Sequence, residues 1–400
     1  MKNALPLSAV VAFSLSALAL SALVLSALVL SAPALAAHAM QPRRPPVFGD
    51  TPVHSLQRTA QWTDTGNAFV AFSHIHMVNI HDGWATTTLK IYRTGSGGMA
   101  WAPVKIPAGR LVTSDFLNAA DADIVIENPV NHRFQLWVTT NGGQTWTSPN
   151  DLPGNPAAFN QLCFINRTDG WIADISQENM NGELLQIFRT INGGATWSRV
   201  WSERSDGYMN GMTFRTESTG WLTGAFSSPG RLYFLATLTG GSSWRAVQVP
   251  LPKSATNPFY PGVPQFFGHQ GIWTLNLNNR LYVYQTKTGG RSWTLRGQLS
   301  TPSDVSAFVN RNDGWLWGDH RLLATQNGGQ TWRTLFRADA GGQIHQVDFI
   351  TPRIGWMILR NYSRNGLYKT MDGGMTWSHI GHLASPPFFR GQGKPGGGPG

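Results

Sequence analysis

The sequence predicts an all-β fold: a seven-bladed β-propeller of four-stranded antiparallel blades. Two recurring phrases and one period predict it. The first phrase, Thr-x-x-Gly-Gly-x-x-Trp, occurs seven times: "TGSGGMAW" (Thr94 to Trp101), "TTNGGQTW" (Thr139 to Trp146), "TINGGATW" (Thr190 to Trp197), "TLTGGSSW" (Thr237 to Trp244), "TKTGGRSW" (Thr286 to Trp293), "TQNGGQTW" (Thr325 to Trp332) and "TMDGGMTW" (Thr370 to Trp377). Its tryptophans stand 45, 51, 47, 49, 39 and 45 residues apart, a period that belongs to propeller blades. The second phrase lies upstream of the first in each unit: "HDGW" ending at Trp84, "TDGW" at Trp171, "STGW" at Trp221, "QGIW" at Trp273, "NDGW" at Trp315 and "RIGW" at Trp356. The second unit has "ADADI" in that place.

Each element of a unit has a local reason. Runs such as "QLCFIN", "MNGMTF", "SAFVN" and "HQVDFI" alternate an apolar face and place Phe164, Phe214, Phe308 and Phe349 at one offset from the Gly-Trp phrase. That is strand periodicity. Each unit reads as strand, Gly-Trp turn, strand, hairpin, strand, Gly-Gly turn and Trp-led strand. In the Gly-Gly turn the third residue, Asn141, Asn192, Asn327 or Asp372, can accept hydrogen bonds from its own backbone, while Gly193 and Gly194 supply positive φ without a Cβ clash. Nothing in this role requires ionisation, since only Asp372 keeps the acid. The closing Trp146, Trp197, Trp244, Trp293, Trp332 and Trp377 are expected to bury their rings between neighbouring blades, each contributing about 3 kcal/mol.

The composition sets bounds on the rest. With 44 Gly, 17 Trp and 13% charged residues in 400, the chain is folded and aromatic-rich. Lys and Arg exceed Asp and Glu by 31 to 21, a net charge of +10, but they are scattered singly, which argues against nucleic acid and leaves an acidic partner or a membrane surface. Cys163 is the only cysteine, which excludes an intrachain disulfide. Residues 1–39 carry one charge, Lys2, and an apolar tract ending in small residues. They read as an export signal, with an uncleaved membrane anchor as the alternative. The chain is therefore expected to be secreted, periplasmic or extracellular. Residues 40–58 form a Pro-rich lead-in, 59–384 the propeller and 385–400 a Gly/Pro-rich tail. "TAQWTDTGNAFVAF" (Thr59 to Phe72) mimics the end of one unit and the start of the next, so the Trp62 strand is expected near the ring's closure, replacing or flanking the strand after Trp377.

The Thr-x-(Asp/Asn)-Gly-Gly-x-Thr-Trp phrase is similar to the Asp-box, or BNR repeat, of sialidases, sortilins and xyloglucanases. Combined with the Gly-Trp phrase and the leader, the chain most resembles the photosystem II stability/assembly factor family and its relatives in non-phototrophic bacteria, over about residues 65–382. The resemblance implies a non-enzymatic propeller that binds protein partners through its surface. Nothing in the sequence ties it to photosynthesis.

Chemistry is harder to find. A sialidase needs an arginine triad, a Tyr–Glu pair and an acid/base Asp, usually introduced by Arg-Ile-Pro. That phrase is absent, and "PRIGW" from Pro352 is a blade turn. No catalytic residue, cofactor or metal site is assigned. His74-Ile75-His76 is a local hint of metal binding, but His76 and Asp348 share an offset in the first and last units and are expected to form an inter-blade polar contact. Arg93, Arg189 and Lys369 each precede the first Thr of a Gly-Gly phrase, where they could form a basic rim for an acidic partner. The expected function is an exported protein-binding or assembly module at the cell envelope, with a glycan-active or glycan-binding surface propeller as the alternative.

Overall fold

The computed structural model describes residues 72–382 except 148–150, 154–158, 178–182, 206, 227–231, 253–259, 301–304, 319, 339–341 and 361–365. The leader, the lead-in, Trp62 and the tail lie outside the described residues. Seven antiparallel sheets follow one another along the chain, each pairing strands that are neighbours in sequence. Blade 3 is representative, with strands Phe159–Phe164, Gly170–Gln177, Glu183–Thr190 and Ser198–Ser205. First strands of neighbouring blades touch: Arg110–Phe116 meets Phe159–Phe164, which meets Gly207–Phe214. These strands surround the ring axis and the fourth strands lie outermost. The first strand of blade 7, Gln343–Phe349, meets that of blade 1, His74–Met77, and so closes the ring.

Two blades depart from the expected pattern, and proline explains much of each. Blade 2 has three strands, and its fourth position holds only the isolated bridges Val138–Thr147 and Gln135–Asp151. Pro153 follows the second bridge and cannot donate to a ladder. In blade 5 the first strand is split into Tyr260–Pro261 and Gln265–Phe267, both paired with Gln270–Leu277, around Pro264. At the closure, Ser378–His382 pairs with Gly366–Thr370 as the fourth strand of blade 7. The strand after Trp377 is thus in place.

The Gly-Trp phrase turns out to be the deepest part of the packing. Trp84, Trp171, Trp221, Trp273 and Trp356 are among the largest fully buried side chains. Each sits in the second strand, and all but Trp273 reach the next blade: Trp171 stacks on Phe214 at 3.7 Å and 5°, and Trp315 on Phe349 at 3.6 Å and 5°. Trp273, one residue further from its glycine, turns back onto Phe234 of blade 4 at 4.5 Å. The preceding glycine makes room, since a Cβ on Gly170 would stand 2.5 Å from the Phe164 ring. The Trp closing the Gly-Gly turn was expected to be the inter-blade anchor, but of these only Trp293 is buried. Trp244 and Trp377 meet their own blade's Phe214 and Phe349 edge-on, at 76° and 75°, and Trp244 also reaches Trp201 of blade 3 at 6.1 Å. Their indole N–H groups donate to Gly241 O and Gly374 O of their own turn. A ring that leads the outermost strand cannot reach as deep as one on the second strand.

Candidate functional site

The Gly-Gly turns lie at the end of the ring where first strands finish and second strands begin. In all seven, the third residue accepts a backbone hydrogen bond four positions on, as its sequence predicts. Asn141 Oδ1 accepts from Thr145 N–H at 3.0 Å, Asn192 Oδ1 from Thr196 N–H at 2.9 Å, Asn327 Oδ1 from Thr331 N–H at 2.9 Å and Asp372 Oδ1 from Thr376 N–H at 2.9 Å. Ser96, Thr239 and Thr288 hydroxyls do the same for Ala100, Ser243 and Ser292. Gly193 and Gly194 sit at φ of 67° and 86°. Burial works against the Asp372 charge, yet hydrogen bonds from Thr376 and Thr370 hold its pKa below the ordinary carboxylate value.

The turns also join blades. The first turn glycine offers its carbonyl to the indole of the preceding blade: Trp171 Nε1 donates to Gly240 O, Trp315 Nε1 to Gly373 O, and Trp356 Nε1 to Gly97 O across the closure. Arg93, Arg189 and Lys369 lie at these junctions, over the rings of Trp84, Trp171 and Trp356 at 5.0, 5.1 and 4.8 Å. Arg189 pairs with Asp169 at 3.3 Å, Arg93 donates to Gly142 O at 3.3 Å, and Lys369 donates to Ile80 O at 3.4 Å. The three cations therefore occupy one end of the ring at corresponding positions, partly covered and each engaged with its neighbours.

A second set of polar residues follows the first strands. In several blades the residue just before the Phe at the end of the first strand, or before Met77 in blade 1, reaches the backbone of the next blade. Asp115 Oδ2 accepts from Phe164 N–H at 3.0 Å, and Asp348 Oδ2 from Met77 N–H at 2.6 Å. Cys163 and His76 make backbone hydrogen bonds to Phe214 and Phe116. The expected meeting of His76 with Asp348 takes this form: the two occupy equivalent places, and Asp348 bonds the backbone beside His76.

Burial dominates the ionisation of these groups. It pushes Asp348 up to about 7 and Asp115 up to about 6, against the N–H donors that favour their charged forms. Asp123, the cross-strand partner of Asp115, is raised further by burial and then by the Asp115 and Asp121 charges. Burial, with the Asp115 charge second, pushes the Cys163 thiol up to about 12, which makes it a poor nucleophile at neutral pH. His76 falls to about 4 for the same reason of burial.

At the opposite end, where first strands begin, the closure between blades 7 and 1 gathers His74, His345, Gln346 and Arg360. Gln346 clasps Ile75, accepting from its N–H at 2.7 Å and donating to its carbonyl at 2.8 Å. The His345 Nε2 lies 3.0 Å from Ser73 O, Arg360 Nη2 donates to Phe72 O at 2.6 Å, and the His74 and His345 rings are 6.5 Å apart. Sequence reading noticed His74 but missed Arg360 and His345, whose only signal is that their counterparts in other units are different residues. Among the described residues no group of three or more His, Cys, Asp or Glu is placed to hold a metal ion.

Fold and junctions together define the chain as a seven-bladed β-propeller of sequence-consecutive antiparallel blades. No protein-family model matches the chain, and no curated protein matches it. Solved structures do match. A structure of YCF48 bound to a D1 peptide aligns at 17% identity and a TM-score of 0.54, covering 76% of this chain and 95% of that one. An oligogalacturonate lyase in complex with manganese aligns at 9% identity and a TM-score of 0.57, covering 76% and 88%. An ancestral GH74 enzyme aligns at 14% identity and a TM-score of 0.52, covering 80% of this chain and 47% of its own length. At these identities the likeness shows the fold alone, and the neighbours include both enzymes and a peptide-bound propeller.

Proposed function

We propose that this chain is an exported, non-enzymatic propeller that binds protein partners, as an assembly or scaffold module at the cell envelope. The observation that carries the reading is the use made of its reactive side chains. Asp115, Asp348, Cys163 and His76 are each spent on the backbone of a neighbouring blade, and Cys163 and Asp348 are buried. Groups committed to holding a ring together are not presented to a substrate. Support also comes from the YCF48 structure, which spans nearly its whole length in the alignment and holds a peptide. The leader at 1–39 and the excess of basic residues support an extracytoplasmic site and an acidic partner. BNR-type turns without a sialidase Arg-Ile-Pro phrase fit the same reading.

The test is a panel of immobilised extended peptides, acidic and neutral, probed with the purified propeller, alongside assays on fluorogenic glycosides and on oligogalacturonate. Saturable peptide binding without turnover is expected. Turnover of any saccharide by a chain that retains no peptide would replace the reading with a glycan-active one.

A further inference from the structure

The closure between blades 7 and 1 holds a cation, Arg360, that no acid among the described residues balances. Arg360 ends the second strand of blade 7, Gly355–Arg360, paired with Gln343 at the start of the first strand. It is partly buried, and among the described residues it donates to the Phe72 carbonyl and pairs with no carboxylate. A guanidinium taken partly out of water with only a carbonyl for company is short of a counter-charge. Two imidazoles stand beside it. A register shift between Ile344 and Gln346 makes His345 the extra residue of a bulge, which aims its ring across the closure toward Ser73 and to 6.5 Å from His74.

We propose that His74, His345 and Arg360 form a binding site for a compact oxyanion of the carboxylate or phosphate type, which is taken up together with protons. The guanidinium supplies a fixed charge and a planar pair of donors, the geometry that suits two oxygens of one anion. The imidazoles supply further donors once protonated. In the empty ring they are kept neutral: burial first, and then the Arg360 charge, hold both near a pKa of about 4. An anion between these groups offsets Arg360 and favours the imidazolium forms, so binding and protonation reinforce each other.

The remaining titratable groups on the strands that meet here do not compete for the anion. His76 and Asp348 lie further along their strands, Asp348 bonded to Met77, and Lys369 is at the far end of its strand over Trp356. The arrangement is also particular to this closure. At the place of Arg360, five residues after the glycine of the Gly-Trp phrase, other units carry Thr88, Ile175, Ala225 and Asn276. A role shared by every blade would not need an arginine in one.

The experiment is titration of the histidine ring signals by NMR, with inorganic phosphate, acetate, and one short peptide as its free acid and as its amide. Phosphate, acetate or the free acid is expected to raise the pKa of both imidazoles. Affinity should strengthen on the order of tenfold per pH unit of acidification for each proton taken up. Response to phosphate or acetate identifies a free ion as sufficient; response to the free-acid peptide alone identifies a chain terminus. Arg360→Gln should abolish the shift, and His74→Asn, which gives up no hydrogen bond across the closure, should retain the fold while weakening the proton uptake. Rings that stay unshifted with all four probes overturn the site, as does an unchanged response in folded Arg360→Gln. If Arg360→Gln does not fold, an unchanged pH dependence in His74→Asn overturns it equally. The site is independent of the protein-binding reading, because the phosphate titration needs no protein partner.

Discussion

The junction between blades 3 and 4 and the closure between blades 7 and 1 solve one problem by different means. At the interior junction the chain runs from Ser198–Ser205 almost directly into Gly207–Phe214, and the contact is a flat ring stack, Trp171 on Phe214 at 3.7 Å. Cys163 adds one backbone bond, and Arg189 covers the indole. At the closure no described segment joins the two blades, and Met77 takes the place of the stacking Phe. Trp356 packs there among Phe72, Ile75, Met77 and Leu367. Polar side chains make up the difference: Gln346, Asp348, His345, Arg360, Trp356 and Lys369 all bond to blade 1 backbone. Where covalent continuity makes the neighbour's arrival cheap in entropy, apolar stacking suffices. Where two ends must find each other, directional bonds fix the register.

The largest effect expected is at the interior junction. Trp171→Ala deletes a fully buried indole, its stack on Phe214 and its bond to Gly240, and should cost about 3–5 kcal/mol. Urea midpoints measure it. If apolar stacking carries this junction, Arg189→Gln, which leaves the rings in contact, should cost under about 1 kcal/mol. Equal losses in the two variants would reverse the ranking of ring and cation.

The sequence made the blades legible because their signals are local. A Gly-Gly pair, an Asn three residues into the phrase and an alternating strand act within a few residues, and all seven turns take the bonds their residues allow. Depth was not legible. Trp171 and Trp197 look alike in one dimension, and only the order of strands from the axis outward decides that the first is buried and the second partly exposed. The placing of Arg93, Arg189 and Lys369 over indoles depends on strand pairing, with Trp84 opposite Arg93 and Trp356 opposite Lys369. Arg360 gave only one signal, that its counterparts in other units are different residues. Its meaning comes from Phe72, on the other side of the ring's closure.

The closure should be more pH-sensitive than the junction between blades 3 and 4. Asp348, at about 7 in the folded ring against an ordinary 3.8, holds its proton more tightly when folded. Its contribution is therefore most favourable below the unfolded value and is lost as pH rises toward 7, by at most about 4 kcal/mol. His74, His76 and His345 work in the opposite direction. Their folded values near 4 lie below the ordinary 6.5, so acidification through that window favours the unfolded chain. Asp348→Asn keeps an oxygen for Met77 N–H and removes the carboxyl from the balance. The variant should gain on the parent at pH 7 and lose to it near pH 4, in urea midpoints taken across the range. A constant difference at every pH would mean that Asp348 does not titrate with folding.

A smaller effect than the loss of Trp171 tests whether the closure is also the weakest point of the ring. Gln346→Ala leaves the Ile75 N–H and carbonyl without the side chain that satisfies both, while Asp348 still holds Met77. Stranding a backbone pair of this kind costs about 1–3 kcal/mol. If the seven blades unfold as one cooperative unit, that loss spreads evenly and every slow amide exchanges faster by the same factor. If the closure opens by itself, the Ile75 and Met77 amides lose protection while those of Ile172 and Leu222, deep in blades 3 and 4, do not. Native-state hydrogen exchange separates the two cases. The second is expected, because blades 7 and 1 are not consecutive in the chain, so their contacts can part without stretching a connection between them.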